Sequence, residues 1–254
     1  MTTVQDILSF LNQLASPQDA MSWDHTGFQL GNRNTPVTKI LVALDPVEEA
    51  CREAADFGAQ LLVTHHPLLF TPTSDLTEDT PTGRCVKILI ANGISQWSGH
   101  TNLDVAPNGV NDVLAEKLGL SDVEILPPEN LLRAGIIPET PLADFLSAVK
   151  TALGCPGLRY VDGGNPCRRV AVGGGACGSG LPDAAAAGCD TFVTSDIKYN
   201  QFRDAFDLGI NLIDAGHFYT ENPVCSRLAE AISGAFPDVT VKISQKHRDC
   251  MKFF

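Results

Sequence analysis

Two patterns of apolar residues alternate along the chain. Short continuous apolar runs end abruptly in turn signals, as strands buried on both faces do. Other stretches repeat their apolar residues every three or four positions, as amphipathic helices do. Val4, Ile7, Leu8, Leu11 and Leu14 predict a helix, and a turn at 21–27 leads into a short strand. Residues 39–44 (KILVAL) predict a buried strand ending at Asp45-Pro46, and Glu48 to Phe57 a helix that Gly58 closes. Leu61-Leu62-Val63-Thr64 predicts the next strand, which stops at His65-His66-Pro67. After a polar loop over 71–83 come a helix over 84–92 and a strand over 94–98 that delivers Gly99-His100-Thr101-Asn102-Leu103-Asp104. A helix over 110–118 follows, then a proline-rich stretch, 121–140, that reads as a joint. Beyond it the pattern resumes. Helices are expected over 141–153, 183–187 and 224–232, and strands over 158–161, 169–172, 191–194 and 210–214. The last of these strands delivers Ala215-Gly216-His217-Phe218-Tyr219-Thr220-Glu221. Strand–helix alternation of this kind predicts an α/β fold with a largely parallel or mixed sheet.

The second half restates the first. At an offset of 130, Pro36 meets Pro166, Lys39 meets Arg169, Val42 meets Val172, Gly58 meets Gly188 and Thr64 meets Thr194. Further on, Ser98-Gly99-His100 matches Ala215-Gly216-His217, and an acid lies four residues after each histidine: Asp104 and Glu221. A register held through several elements predicts an internal duplication. The expected organisation is two similar α/β halves, 1–125 and 141–254, separated by a joint at 126–140 and facing a cleft between equivalent strand ends.

Composition narrows the function classes. A net charge of −12 opposes a nucleic-acid footprint and disfavours binding to anionic membrane surfaces. No apolar run approaches the ~20 residues of a membrane span, and the first residues lack the basic start and apolar core of a signal peptide, so a cytoplasmic protein is expected. Eight cysteines are present, none in a C-x-x-C pair, and they read as reduced, buried small hydrophobes rather than zinc ligands.

The histidines carry the chemistry. Of six, four (His65, His66, His100 and His217) fall at predicted strand ends, where open α/β sheets bind ligands. Adjacent His65 and His66 point to opposite sides of an extended chain, so both reach one site only if the strand breaks, as Pro67 encourages. With Asp104, Asp196 and Glu221 nearby in the pattern, imidazoles mixed with carboxylates suit zinc, manganese, iron, cobalt or nickel, whereas calcium and magnesium prefer oxygen alone.

Three separated motifs, "VTHHPLLF", "GHTNLDVAPNGVNDVLAEKLGL" and "LIDAGHFYTE", resemble in order those of the Nif-three-like dinuclear metal-centre proteins, often labelled GTP cyclohydrolase I type 2 homologues. "SWDHTGFQLG" and "TSDIKYN" resemble two further motifs of that family, so the likeness spans nearly the whole chain. The resemblance implies a duplicated α/β fold with two divalent metal ions in the cleft, held by His65, His66, Asp104, His217 and Glu221. It also implies a homohexamer whose metal sites face an internal chamber. His25, Ser195 and Asn200 depart from the family pattern, which usually has Asn, Gly and His there; none removes a ligand. His100, four residues before Asp104, is assigned to supporting the ligands or to proton transfer.

Gly173-Gly174-Gly175-Ala176-Cys177-Gly178 also satisfies G-x-G-x-x-G, with Asp190 and Asp196 at plausible ribose-binding distance. The segment is the second copy of the Asp45-Pro46 turn, so it reads instead as a glycine-rich turn offering amides to the cleft. The expected activity is metal-dependent hydrolysis of a small-molecule nucleotide or heterocycle, the substrate class resting on the family label. A metal storage or delivery protein and a protein-interaction module are the alternatives.

Overall fold

The computed structural model describes residues 1–253. Two compact units are present, each with its own sheet and core. Among the described residues no helix is long and apolar enough to cross a membrane.

The first unit opens with α1 (Val4–Leu14), whose capping Thr3 accepts from the Asp6 amide while Asp6 accepts from the Thr3 amide. There follow β1 (Gly27–Leu30), β2 (Lys39–Ala43), α2 (Glu48–Phe57), β3 (Leu61–Thr64), α3 (Pro81–Ala91), β4 (Ser95–Ser98) and α4 (Thr101–Val105). α2 stops where Gly58 turns left-handed at φ 71°, a conformation that costs glycine little. Every residue of β3 is buried, because its parallel neighbours β2 and β4 flank it and helices cover the sheet. Leu41, Leu62, Cys51, Cys85 and Leu89 share one core cluster there. Each fully buried aliphatic side chain of this kind contributes about 1.5–3 kcal/mol.

The second unit begins at Asn108. It holds α5 (Val110–Lys117), β5 (Ser121–Ile125), β6 (Arg133–Thr140), α6 (Leu142–Leu153), β7 (Arg159–Val161), β8 (Cys167–Val172), α7 (Leu181–Ala186), β9 (Thr191–Thr194), α8 (Tyr199–Leu208), β10 (Asn211–Asp214) and α9 (His217–Glu221). The chain then returns to the first unit with α10 (Val224–Ala235) and β11 (Thr240–Ile243), which pairs in parallel with β2.

Strand order exhibits the duplication. The first sheet runs β1-β4-β3-β2-β11, and the second contains β7-β10-β9-β8 followed by β6-β5. In each, an antiparallel strand (β1 or β7) lies beside a run of three parallel ones, β4-β3-β2 or β10-β9-β8, to which β11 adds a fourth in the first sheet.

The division departs from the expected boundaries in two places. The expected joint at 126–140 holds β6, and β5 lies directly before it; both extend the second sheet. The second unit therefore starts after Pro107, and residues 224–250 belong to the first. β5 is exposed along its length, an edge strand whose polar SDVEI sequence gives little apolar alternation to read.

Seven of the eight cysteines are buried, only Cys250 is exposed, and no disulfide is formed, as the irregular spacing suggested.

Candidate metal centre

In the first unit, β3 breaks where the sequence requires it to. The amides of His65 and His66 both donate to the Leu44 carbonyl, at 3.1 and 2.9 Å, so the strand's alternation is lost at its last step. The two rings come to lie with centroids 4.7 Å apart, and His100, delivered by β4, sits 5.3 and 5.5 Å from them. One ring nitrogen from each of the three lies within 4.8 Å of the others. Asp104, on α4, is buried beside them, its Oδ1 3.6 Å from His65 Nε2.

Each imidazole is oriented from behind. His65 Nδ1 meets the Gly99 carbonyl oxygen at 2.8 Å; a carbonyl only accepts, so Nδ1 carries the proton and Nε2 the lone pair. His66 Nδ1 donates to Asp45 Oδ1 at 2.6 Å, and His100 Nδ1 to Asp24 Oδ1 at 2.8 Å. Burial pushes the Asp45 carboxyl up, but hydrogen bonds from His247 and His66 outweigh it and hold it well below the usual carboxylate range. Asp24 behaves alike: burial raises it, and His100 and Thr101 together hold it low. Both acids are thus fixed as acceptors, and His66 and His100 likewise present Nε2. Metal-ligating histidines characteristically carry such a partner on the second nitrogen.

In the second unit, His217 is built the same way. Its Nδ1 donates to Asp196 Oδ2 at 2.7 Å, and Asp196 holds a left-handed φ of 54°. On the other side, His217 Nε2 faces Glu221 Oε2 at 3.0 Å across one turn of α9. A lone-pair nitrogen and a carboxylate at that distance call for positive charge, either a proton or a cation. Glu221 is buried against the glycine-rich turn. A Cβ on Gly175, whose φ is 64°, would lie 2.0 Å from Glu221 Oε1 and 3.1 Å from His217 Nε2. The turn is therefore a cradle for the carboxylate. It offers no anion site through its first amides, because Gly174 donates to Asn111 and Gly175 to Thr220. The G-x-G-x-x-G pattern here makes space for a side chain.

A test follows from the cradle. Gly175→Ala is expected to displace Glu221 and lower the metal content measured by plasma emission, with the circular dichroism spectrum kept. Full metal content would take Glu221 out of the ligand set.

The structure thus gathers His65, His66, His100 and Asp104 in the first unit, and His217, Glu221 and Asp196 in the second. Donor chemistry fits a divalent metal in both: Nε2 lone pairs, buried carboxylates, and no thiolate among these groups. Two supporting residues escaped the sequence reading. Asp45, at the carboxyl end of β2, was legible by the same strand-end rule that picked out the histidines. His247 was not: it follows β11, and its Nε2 meets Asp45 Oδ2 at 2.8 Å.

Comparison with known proteins identifies the chain's relatives. The model of the Duf34/NIF3 (NGG1p interacting factor 3) family matches residues 2–250. A Clostridium perfringens protein named GTP cyclohydrolase 1 type 2 homolog is 34% identical over 259 residues, covering 98% of this chain and 99% of its own. One of the same name from Streptomyces coelicolor is 36% identical over 240 residues, covering 89% of this chain and 84% of its own. The crystal structure of a Bacillus cereus protein related to NIF3 superposes with a TM-score of 0.95 at 25% identity, covering 100% of this chain and 99% of that one.

Proposed function

This chain belongs to the Duf34/NIF3 family, and from that premise we propose that it is a metal-dependent hydrolase acting on a nucleotide or heterocyclic substrate. In this reading two divalent ions are held by His65, His66 and Asp104 of the first unit with His217 and Glu221 of the second. The ions are of the zinc, manganese, iron, cobalt or nickel type. The observation that supports it is the common build of the three imidazoles in that set: each Nδ1 is engaged by a group that only accepts, which fixes the tautomer with the lone pair on Nε2, the nitrogen a cation would bind. Neither unit's set saturates two ions, which supports pooling them and leaves open positions of the kind catalytic sites keep. The nucleotide or heterocycle is supported by the name that the relatives carry. Assembly into a homohexamer belongs to the same reading.

When bound, such ions would supply Lewis acidity, acidifying water and polarising the scissile group. The chain's own residues handle the proton. His100 Nε2 accepts it from the attacking water, while Asp24, fixed on Nδ1, keeps the tautomer and stabilises the imidazolium that results. Thr101 holds Asp24 in turn through its amide and hydroxyl, at 3.0 and 2.6 Å.

The test is turnover of GTP, other nucleotides and phosphodiesters by protein loaded with zinc, manganese or iron. Hydrolysis by at least one form, abolished by chelation, is expected. No turnover in any form would favour metal storage or delivery.

A further inference from the structure

Two large aromatic side chains stand in the open beside the imidazole cluster of the first unit. Trp23 is 60% exposed and Phe70 49% exposed, while the chain's other tryptophan, Trp97, is 1% exposed. Leaving such surface in water is unfavourable, and contiguous exposed aromatics commonly mark a binding site. These two touch each other and His100. Ring centroids are 6.2 Å apart for Trp23–Phe70, 6.1 Å for Trp23–His100 and 5.7 Å for Phe70–His100, at interplanar angles of 85°, 77° and 86°. The three rings form a corner in which none is stacked face to face. With 60% of Trp23 exposed, ring surface is left for a guest.

The corner is held rigidly. Asp24, next to Trp23, has a fully buried side chain that accepts from the amide of His25, from His100, and from Thr101. The amide of Met21 donates to the Thr101 hydroxyl at 2.9 Å. Gln29 ties the two loops together: its Nε2 donates to the His25 carbonyl at 2.6 Å, and its Oε1 accepts from the Leu69 amide at 2.9 Å. An exposed aromatic carried on a backbone that is already tied down leaves less to order when it binds, which is how a pre-organised platform gains affinity.

We infer that Trp23 and Phe70 form the platform on which the protein stacks a planar heteroaromatic ring of purine size, beside His65, His66 and His100. This rests on the reading of those histidines as part of a metal-dependent centre, and it names the part of the substrate that the centre itself does not bind. The ligand is a flat ring system because a π-face is the surface that exposed aromatic rings such as Trp23 and Phe70 match best. It carries polar substituents because its neighbours on the other side are imidazoles.

The experiment uses guanosine 5′-monophosphate as probe and the full-length, metal-loaded protein. Trp23 is the exposed tryptophan, so its fluorescence should be quenched as the nucleotide is added, with ribose 5-phosphate, which has no base, giving no quench. By calorimetry, Trp23→Ala should weaken the nucleotide about 5- to 150-fold, the usual loss when one stacking partner is removed. Trp23→Phe should restore most of the affinity while abolishing the quench, and Phe70→Ala should weaken binding as well. Neither side chain is a metal ligand, so metal content should match the wild type in all three variants. Wild-type affinity in Trp23→Ala would overturn the proposal, as would equal affinity for ribose 5-phosphate or no quench at millimolar nucleotide. So would a changed assembly mass with unchanged affinity, which would make the pair a contact between copies. Loss of metal from His65→Ala alone tests the metal reading separately.

Discussion

Bound metal is expected to fall to a small fraction of the wild-type stoichiometry in His65→Ala and, separately, in Glu221→Gln. One residue belongs to the first unit and the other to the second, so the pair asks whether the two ligand sets serve one centre. Losing a partner that merely orients a metal ligand typically costs 10- to 100-fold in affinity, and losing a ligand should cost at least that. Glutamine keeps the shape of Glu221 in its cradle, so a loss there reports the charge and the donor atom. Plasma emission on purified protein gives the stoichiometry, and competition with a chromophoric chelator gives the affinity. A Glu221→Gln protein that keeps its full complement of metal would sink the shared centre. In the wild type the same affinity should drop steeply as pH falls from ~7 to ~5. Binding a cation releases protons from imidazole, whose ordinary pKa is ~6.5. The sign is fixed: the metal-bound state is favoured above that range and lost below it. A flat profile would exclude histidine ligands.

What the sequence made legible was whatever rests on local pattern. The runs at 39–44 and 61–64 are buried on both faces, so their apolar character is continuous and their ends are sharp, and β2 and β3 fall where expected. His65, His66, His100 and His217 were recognisable because strand ends in α/β sheets point to ligands, and the structure gathers the first three in one unit. Parts that depend on distant pairing were not legible. β11 has only four residues, half-buried and exposed in alternation, and its partner β2 lies some two hundred positions earlier. Nothing local therefore announces that residues 224–250 rejoin the first unit, nor that His247 would reach Asp45. α8 was passed over for a related reason. It buries only Ala205, so its sequence carries a narrow apolar stripe between polar residues. The prolines at 127, 128, 138 and 141 suggested a joint, yet β6 keeps Pro138 near its end, where a missing amide is tolerated.

The duplication explains why the two units' sites differ. Where the first unit has His65 and His66 after Thr64, the second has Ser195 and Asp196 after Thr194. Position for position, the histidine pair of one unit corresponds to a buried serine and an acid that orients His217 in the other. After the next strand, both units place a histidine and, four residues on, an acid. In the second unit His217 Nε2 faces Glu221 directly, at 3.0 Å. In the first, His100 is turned toward Asp24, and it is His65 that lies next to Asp104. In the reading proposed above, His100 is therefore the copy that moves a proton and does not bind metal.

If that reading holds, His100→Gln should separate proton transfer from metal binding. General acid–base groups typically contribute 10²–10⁴-fold in rate, so turnover should fall by about that factor on whichever substrate the wild type accepts, with most of the metal retained. The pH profile supplies a second signature: the limb that depends on the proton-accepting imidazole should disappear with it. Asp24→Asn should move in the same direction, because an amide on Nδ1 no longer stabilises the imidazolium that forms when Nε2 takes its proton. If His100→Gln loses its metal outright, His100 is a ligand with His65 and His66, and the proton must leave through another group. If it keeps both metal and turnover, the Asp24–His100 pair serves only to order the Trp23 turn against α4.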